Sequence, residues 1–153
     1  MLYIEAPNRV YDTSKKSIFL AGTITGAADW QAEVTKALDD FDIVVFNPRR
    51  ENFPIHDPNA AFEQIKWEFD MLRKADMIQM WLASETIGPI CLYELGAWSM
   101  TEKPLVIGMD PKYPRRQDVE IQTKLVRPEV SISYNMNDFI ESIAVMIDQV
   151  MGS

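Results

Sequence analysis

Residues 76–98 read DMIQMWLASETIGPICLYELGAW. Asp76 to Leu82 is a largely apolar run of strand length, without the in–out alternation of a sheet that faces water on one side. Such a run suits a strand buried on both faces. A short loop follows, and Gly88-Pro89 then opens a helical segment, because proline is favoured at the first helical position. A buried strand running through a short loop into a helix is the first half of a crossover between parallel strands.

The same unit repeats on both sides of this stretch. Ser17-Ile18-Phe19-Leu20-Ala21-Gly22, Ile43-Val44-Val45-Phe46, Pro104-Leu105-Val106-Ile107-Gly108 and Val130-Ser131-Ile132 read as further strands. Helical spacing marks residues 28–40 (Trp30, Val34, Ala37, Leu38) and 136–150 (Phe139, Ile143, Met146, Ile147, Val150), with a short helix expected before residue 130. Asp57-Pro58 predicts an N-cap and first turn for a helix reaching Lys74, with Phe62, Ile65, Phe69 and Leu72 as its core stripe. Strand and helix alternate throughout. The expectation is an α/β fold, doubly wound and flavodoxin- or Rossmann-like, with a five-stranded parallel sheet and helices on both faces. Residues 1–16 are expected as an N-terminal tail and residues 17–153 as one domain.

Composition narrows the function. The formal net charge of −8 disfavours a nucleic-acid backbone or an anionic membrane as partner, since both reward Lys and Arg. One cysteine, Cys91, and one histidine, His56, leave no basis for a disulfide, a thiolate cluster or a histidine-rich metal site. The sequence shows neither a signal-like N-terminus nor an apolar run of membrane-spanning length, so a cytoplasmic location is expected.

In this fold class ligands sit outside the carboxyl ends of the strands, so the loops after residues 22, 46 and 82 matter most. Gly22, Thr23, Thr25 and Gly26 could offer hydroxyl and N–H donors to a sugar or phosphate, or form an ordinary tight turn. Arg49 and Arg50 could bind a phosphate or base, or simply pair with acids. His56 reads as a loop residue, and Cys91 as a small packed one.

Two acids stand out. Glu94 has Ile90, Cys91, Ala97 and Trp98 as its helical neighbours, none able to pair with a carboxylate, and it is too far into the helix to cap it. Glu68 lies apart from the Lys66–Asp70–Lys74 ladder on its own helix. Either could be a spare surface acid. Paired carboxylates in unlike environments also suit chemistry at a glycosidic carbon.

WEFDMLRKADMIQMWL followed by GPICLYELGAWSMTEKPLVIG resembles the nucleoside 2-deoxyribosyltransferase superfamily. LAGTITG and FNPRRENF bring it closer to the deoxyribosyltransferase-like branch, and the matching segments lie between residues 17 and 108. The resemblance implies Glu94 as the nucleophile at the anomeric carbon. It places Glu68 where the family carries an aspartate that contacts sugar or base. Glu85 and Gly88, in the loop from Ser84, fall on the substrate side, with Gly22, Thr23, Thr25 and Arg49 around the pocket. Phe19 stands where family members often have a tyrosine that orients the nucleophile.

The implied activity is base exchange on a free (deoxy)nucleoside, with no cofactor. Hydrolysis of a 5′-monophosphate and non-catalytic nucleotide binding are the alternatives. The apolar helix with Leu92, Leu95, Trp98 and Met100 predicts a homo-oligomer.

Overall fold

The computed structural model of the chain describes residues 1–152. Its elements run β1 (Leu2–Glu5), β2 (Ser17–Gly22), α1 (Trp30–Ala37), β3 (Val44–Asn47), α2 (Ala60–Lys74), β4 (Met77–Leu82), α3 (Pro89–Ser99), β5 (Leu105–Met109), α4 (Arg116–Val126), β6 (Ile132–Ser133) and α5 (Met136–Met151). The strands form one six-stranded sheet in the order β1-β3-β2-β4-β5-β6. Every pairing is parallel.

Continuous apolar strands exist because both faces are covered. Phe19, Ala21, Phe46, Ile78, Met80 and Leu82 pack with Trp67 and Met71 of α2, Cys91 and Leu95 of α3 and Val119 of α4. The alternate residues Ile18, Leu20, Val45, Met77 and Trp81 pack with Val34 of α1 and Phe139 and Ile143 of α5 on the other face. The period-2 geometry of a strand sends neighbours to opposite cores. The α/β, doubly wound reading therefore holds.

The expected count of five strands is corrected to six by residues expected as tail. Leu2–Glu5 adds an edge strand beside β3, with Leu2 N–H donating to the Ile43 carbonyl at 2.8 Å and Ala6 N–H to that of Asn47 at 3.0 Å. Only Ile4 and Ala6 of this segment enter the core. Backbone pairing holds the strand more than burial does, so its apolar signal is weak.

The expected core stripe of α2 is also corrected. Trp67, Met71 and Leu72 face the sheet, whereas Phe62 is 73% exposed, Ile65 66% and Phe69 49%. This helix carries two apolar stripes, and period alone does not say which one the sheet takes. The helix starts at Ala60, two residues later than predicted. Asp57 closes the preceding turn instead, accepting from Asn59 N–H at 2.9 Å.

Candidate active site

β2 and β4 are neighbours in the sheet, yet their crossover helices α1 and α3 cover opposite faces. Their carboxyl ends are thus the topological switch point, where doubly wound folds open a crevice. Gly22 adopts φ 127°, and a Cβ there would lie 2.2 Å from the Trp81 carbonyl oxygen. Only glycine permits that approach.

Thr23 is buried and fully engaged. Its N–H donates to the Trp81 carbonyl at 3.0 Å, and its Oγ1 accepts from Ala83 N–H at 3.1 Å. Its carbonyl accepts from Trp30 Nε1 at 2.8 Å and Gln31 Nε2 at 3.4 Å. Gly22 and Thr23 therefore suture the two strand ends, while Thr25 and Gly26 lie exposed at the loop tip.

Glu68 and Glu94 meet across the seam between α2 and α3. Both are half-buried, and neither has an ion-pair partner among the described residues. Desolvation, together with the charge of Glu68, pushes Glu94 up to about 8. Desolvation pushes Glu68 up to about 7, partly offset by a hydrogen bond from Gln64. Two carboxyls that would repel when both ionised share a low-dielectric seam, so the pair holds protons well above the ordinary carboxylate range.

The Cys91 thiol is beside them. Burial and the charges of Glu94 and Glu68 push it up to about 12, which keeps it a protonated, unreactive packing group. Gly88 starts α3 with φ 60°, and a Cβ there would sit 3.3 Å from Cys91 Sγ and 3.9 Å from Thr23 Oγ1. Thr23, Gly88, Cys91 and the two glutamates thus form one cluster. Glu85 is exposed in the loop that leads to it. Phe19 is fully buried with its ring 5.8 Å from Trp67, so β2 brings no hydroxyl from that position.

Arg49 is not a free cation. Its Nη1 donates to the Ala28 carbonyl and Gln31 Oε1, both at 2.9 Å. Its Nη2 donates to the carbonyls of Ala27 at 2.7 Å and Ile24 at 3.2 Å. The guanidinium grips the β2–α1 loop from the end of β3.

Four participants escape sequence reading. Gln31 holds Thr23, Asn47 organises the turn before Arg49, and Gln64 donates from Nε2 to the Pro48 carbonyl at 2.8 Å. Tyr113 Oη donates to the Ile87 carbonyl at 2.5 Å, tying the loop after β5 to the one before α3. Only Asn47 carried a signal, as an Asn-Pro pair ending a strand. The others act through contacts distant in sequence. Among the described residues no three His, Cys, Asp or Glu side chains are grouped to hold a metal ion.

The protein family described as nucleoside 2-deoxyribosyltransferase like matches residues 15–113, more than half of the chain. A search of curated proteins finds no match.

Proposed function

Since the chain belongs to the nucleoside 2-deoxyribosyltransferase-like family, we propose that it cleaves the N-glycosidic bond of a (deoxy)nucleoside and transfers the sugar to a second base. The observation that carries this reading is the Glu68–Glu94 pair, half-buried without cations beside the switch point. Glu94 attacks C1′ as its bond to the base nitrogen breaks, the electron pair leaving with the base. Glu68 protonates the departing base or holds the sugar hydroxyls. The second base then attacks C1′ and releases the Glu94 carboxylate.

Buried acids support this chemistry because a desolvated carboxylate is a stronger nucleophile and a desolvated carboxylic acid can still donate near neutral pH. The hydrogen bond from Gln64 holds Glu68 lower than burial alone would, so the proton on Glu68 is kept by desolvation and not by Gln64. Thr25 and Gly26 are exposed in the loop after β2, and Glu85 in the loop after β4. A deoxynucleoside incubated with a second free base should yield a new nucleoside, detected by chromatography. Sugar release alone, faster on 5′-monophosphates, would make hydrolysis the better reading, and no cleavage at all would leave a binding module.

The pH profile of kcat/KM reports the free pair. If Glu94 attacks ionised while Glu68 donates, activity peaks between the apparent values of about 7 and about 8 and falls on both sides. Glu68→Gln should remove the alkaline limb, leave the rise on the acid side to Glu94 alone and slow turnover about 10²–10⁴-fold. A wild-type profile that stays flat above the upper value would instead assign Glu68 to binding as a carboxylate.

A second copy of the chain completes the proposed enzyme. Of the residues expected to drive association, Leu95 is core and Leu92 and Trp98 pack against it. The apolar surface left is Ile90, 65% exposed, Tyr93, 79%, and Met100, 75%, just past the end of α3, together with the bare Phe62, Ile65 and Phe69 of α2. Arg73 lies over the rings of Phe69 and Trp98 and so ties the end of α2 to α3. An exposed apolar surface spanning two helices is typical of an association face. Sedimentation at micromolar concentration should report at least a dimer, and Tyr93→Lys should weaken it. A wild-type monomer would remove the second copy.

A further inference from the structure

We infer that Arg49 is a positioning residue, one that sets the conformation of the Ile24–Asp29 loop without contacting the substrate. The inference rests on the reading of the switch point as a nucleoside site. It departs from any role for Arg49 as a phosphate or base ligand.

The anchor comes first. Asn47 ends β3 and accepts from the Arg49 N–H at 2.9 Å through Oδ1, while its Nδ2 donates to Tyr3 Oη at 2.9 Å on β1. The Pro48 carbonyl is held by Gln64 of α2. The backbone bearing Arg49 is thus tied to an edge strand and a helix, neither of which belongs to the loop it reaches.

The reach comes next. Both N–H groups of Nη1 and both of Nη2 are taken by Ile24, Ala27, Ala28 and Gln31. That leaves only the Nε–H of the five donors a guanidinium offers. The Asp29 carboxylate, which also caps α1 through Ala32 N–H at 3.1 Å, lies 3.7 Å away. An anion could be gripped in the paired mode that makes arginine a phosphate ligand only by displacing loop carbonyls.

The Ala28 carbonyl also accepts from Trp30 N–H at 2.9 Å and that of Ile24 from Ala27 N–H at 3.3 Å, so the guanidinium adds charge-assisted bonds that draw these separate turns to one point. With them held, the loop presents Thr25 and Gly26 at its exposed tip while Thr23 stays sutured at its base. The planar fork of arginine matches this set of divergent acceptors, and the single ammonium of lysine does not.

Hydrogen exchange and kinetics on Arg49→Ala and Arg49→Lys test the inference, with Arg49→Lys carrying the comparison if Arg49→Ala does not fold. In both variants, exchange over residues 24–29 should speed at least about tenfold, the equivalent of one lost charge-assisted hydrogen bond. Peptides from α2 and α3 should be unchanged. Turnover should fall by up to about a hundredfold, the cost of a misplacement near 1 Å. The fall should be equal on a deoxynucleoside and its 5′-monophosphate. Millimolar guanidinium should slow the exchange of Arg49→Ala back towards wild type. Unchanged exchange over the loop, or a loss confined to the monophosphate, would overturn the positioning role. If wild type cleaves no nucleoside, the proposed function fails while exchange and guanidinium rescue still decide what Arg49 does to the loop.

Discussion

Glu94→Gln should lower glycosidic turnover by about 10⁴-fold or more, the scale of losing a group through which the chemistry passes. The same substitution should make the protein more stable at neutral and alkaline pH. The reason is linkage. A carboxyl whose folded pKa is raised keeps its proton longer in the folded chain than in the unfolded one. Its favourable contribution is complete at acid pH and is lost as pH rises from the ordinary value of 4.5 through about 7 for Glu68 and about 8 for Glu94.

Glutamine copies the protonated shape and never ionises. Wild type and Glu94→Gln should therefore melt together at about pH 4, where unfolded and folded carboxyls are both largely protonated. Above the upper value the variant should melt higher, by about 2–4 °C for each kcal/mol of relieved repulsion and desolvation. Calorimetry at both pH values, paired with base release, makes the check. Undiminished base release by Glu94→Gln would remove the covalent mechanism. A melting temperature that falls at alkaline pH would mean that Glu94 has a stabilising partner, and that the seam is not a store of unfavourable charge.

Gly22→Ala carries the largest expected loss of stability. Its Cβ would fall 2.2 Å from the Trp81 carbonyl oxygen, 2.8 Å from the Trp81 nitrogen and 3.0 Å from Trp30 Cζ2. Two of these atoms are backbone of the adjacent strand, which pairs with β2 and cannot retreat alone. The same carbonyl also holds Thr23 N–H, so separation breaks the suture at the switch point. A cost above about 4 kcal/mol is expected, which marks backbone strain and steric collision combined.

Gly26→Ala makes the comparison sharp. It shares the positive φ, at 79°, but a Cβ there meets nothing within 4 Å. Only the conformational cost remains, about 1–2 kcal/mol. Denaturant midpoints should separate the two variants clearly. Equal midpoints would show that the β2 and β4 ends yield more readily than their pairing implies.

The physics of local pattern explains what could be read in advance. Uninterrupted apolar strands with intervening helices can only satisfy their backbone and bury both faces as a covered parallel sheet, so the α/β class was legible from residues 17–109. Glu94 and Glu68 stood out because helical spacing lists a residue's neighbours, and theirs included no useful cation. Gly88-Pro89 marked the start of α3 for a similarly local reason.

Pattern could not decide between two equivalent local solutions. On α2 both apolar stripes have helical period, and Trp67 faces the sheet because the cavity between Phe19 and Phe46 takes its ring. Leu2–Glu5 looked like tail because an edge strand draws its stability from backbone pairing with β3, which leaves little trace in side-chain hydropathy. Arg49 looked available because its acceptors are carbonyls, present at every residue and therefore invisible in sequence until folding brings Ile24, Ala27 and Ala28 around one guanidinium. The raised pKa values of Glu68 and Glu94 likewise arise only once α2 and α3 lie side by side, since desolvation and charge repulsion depend on distance in space and not along the chain.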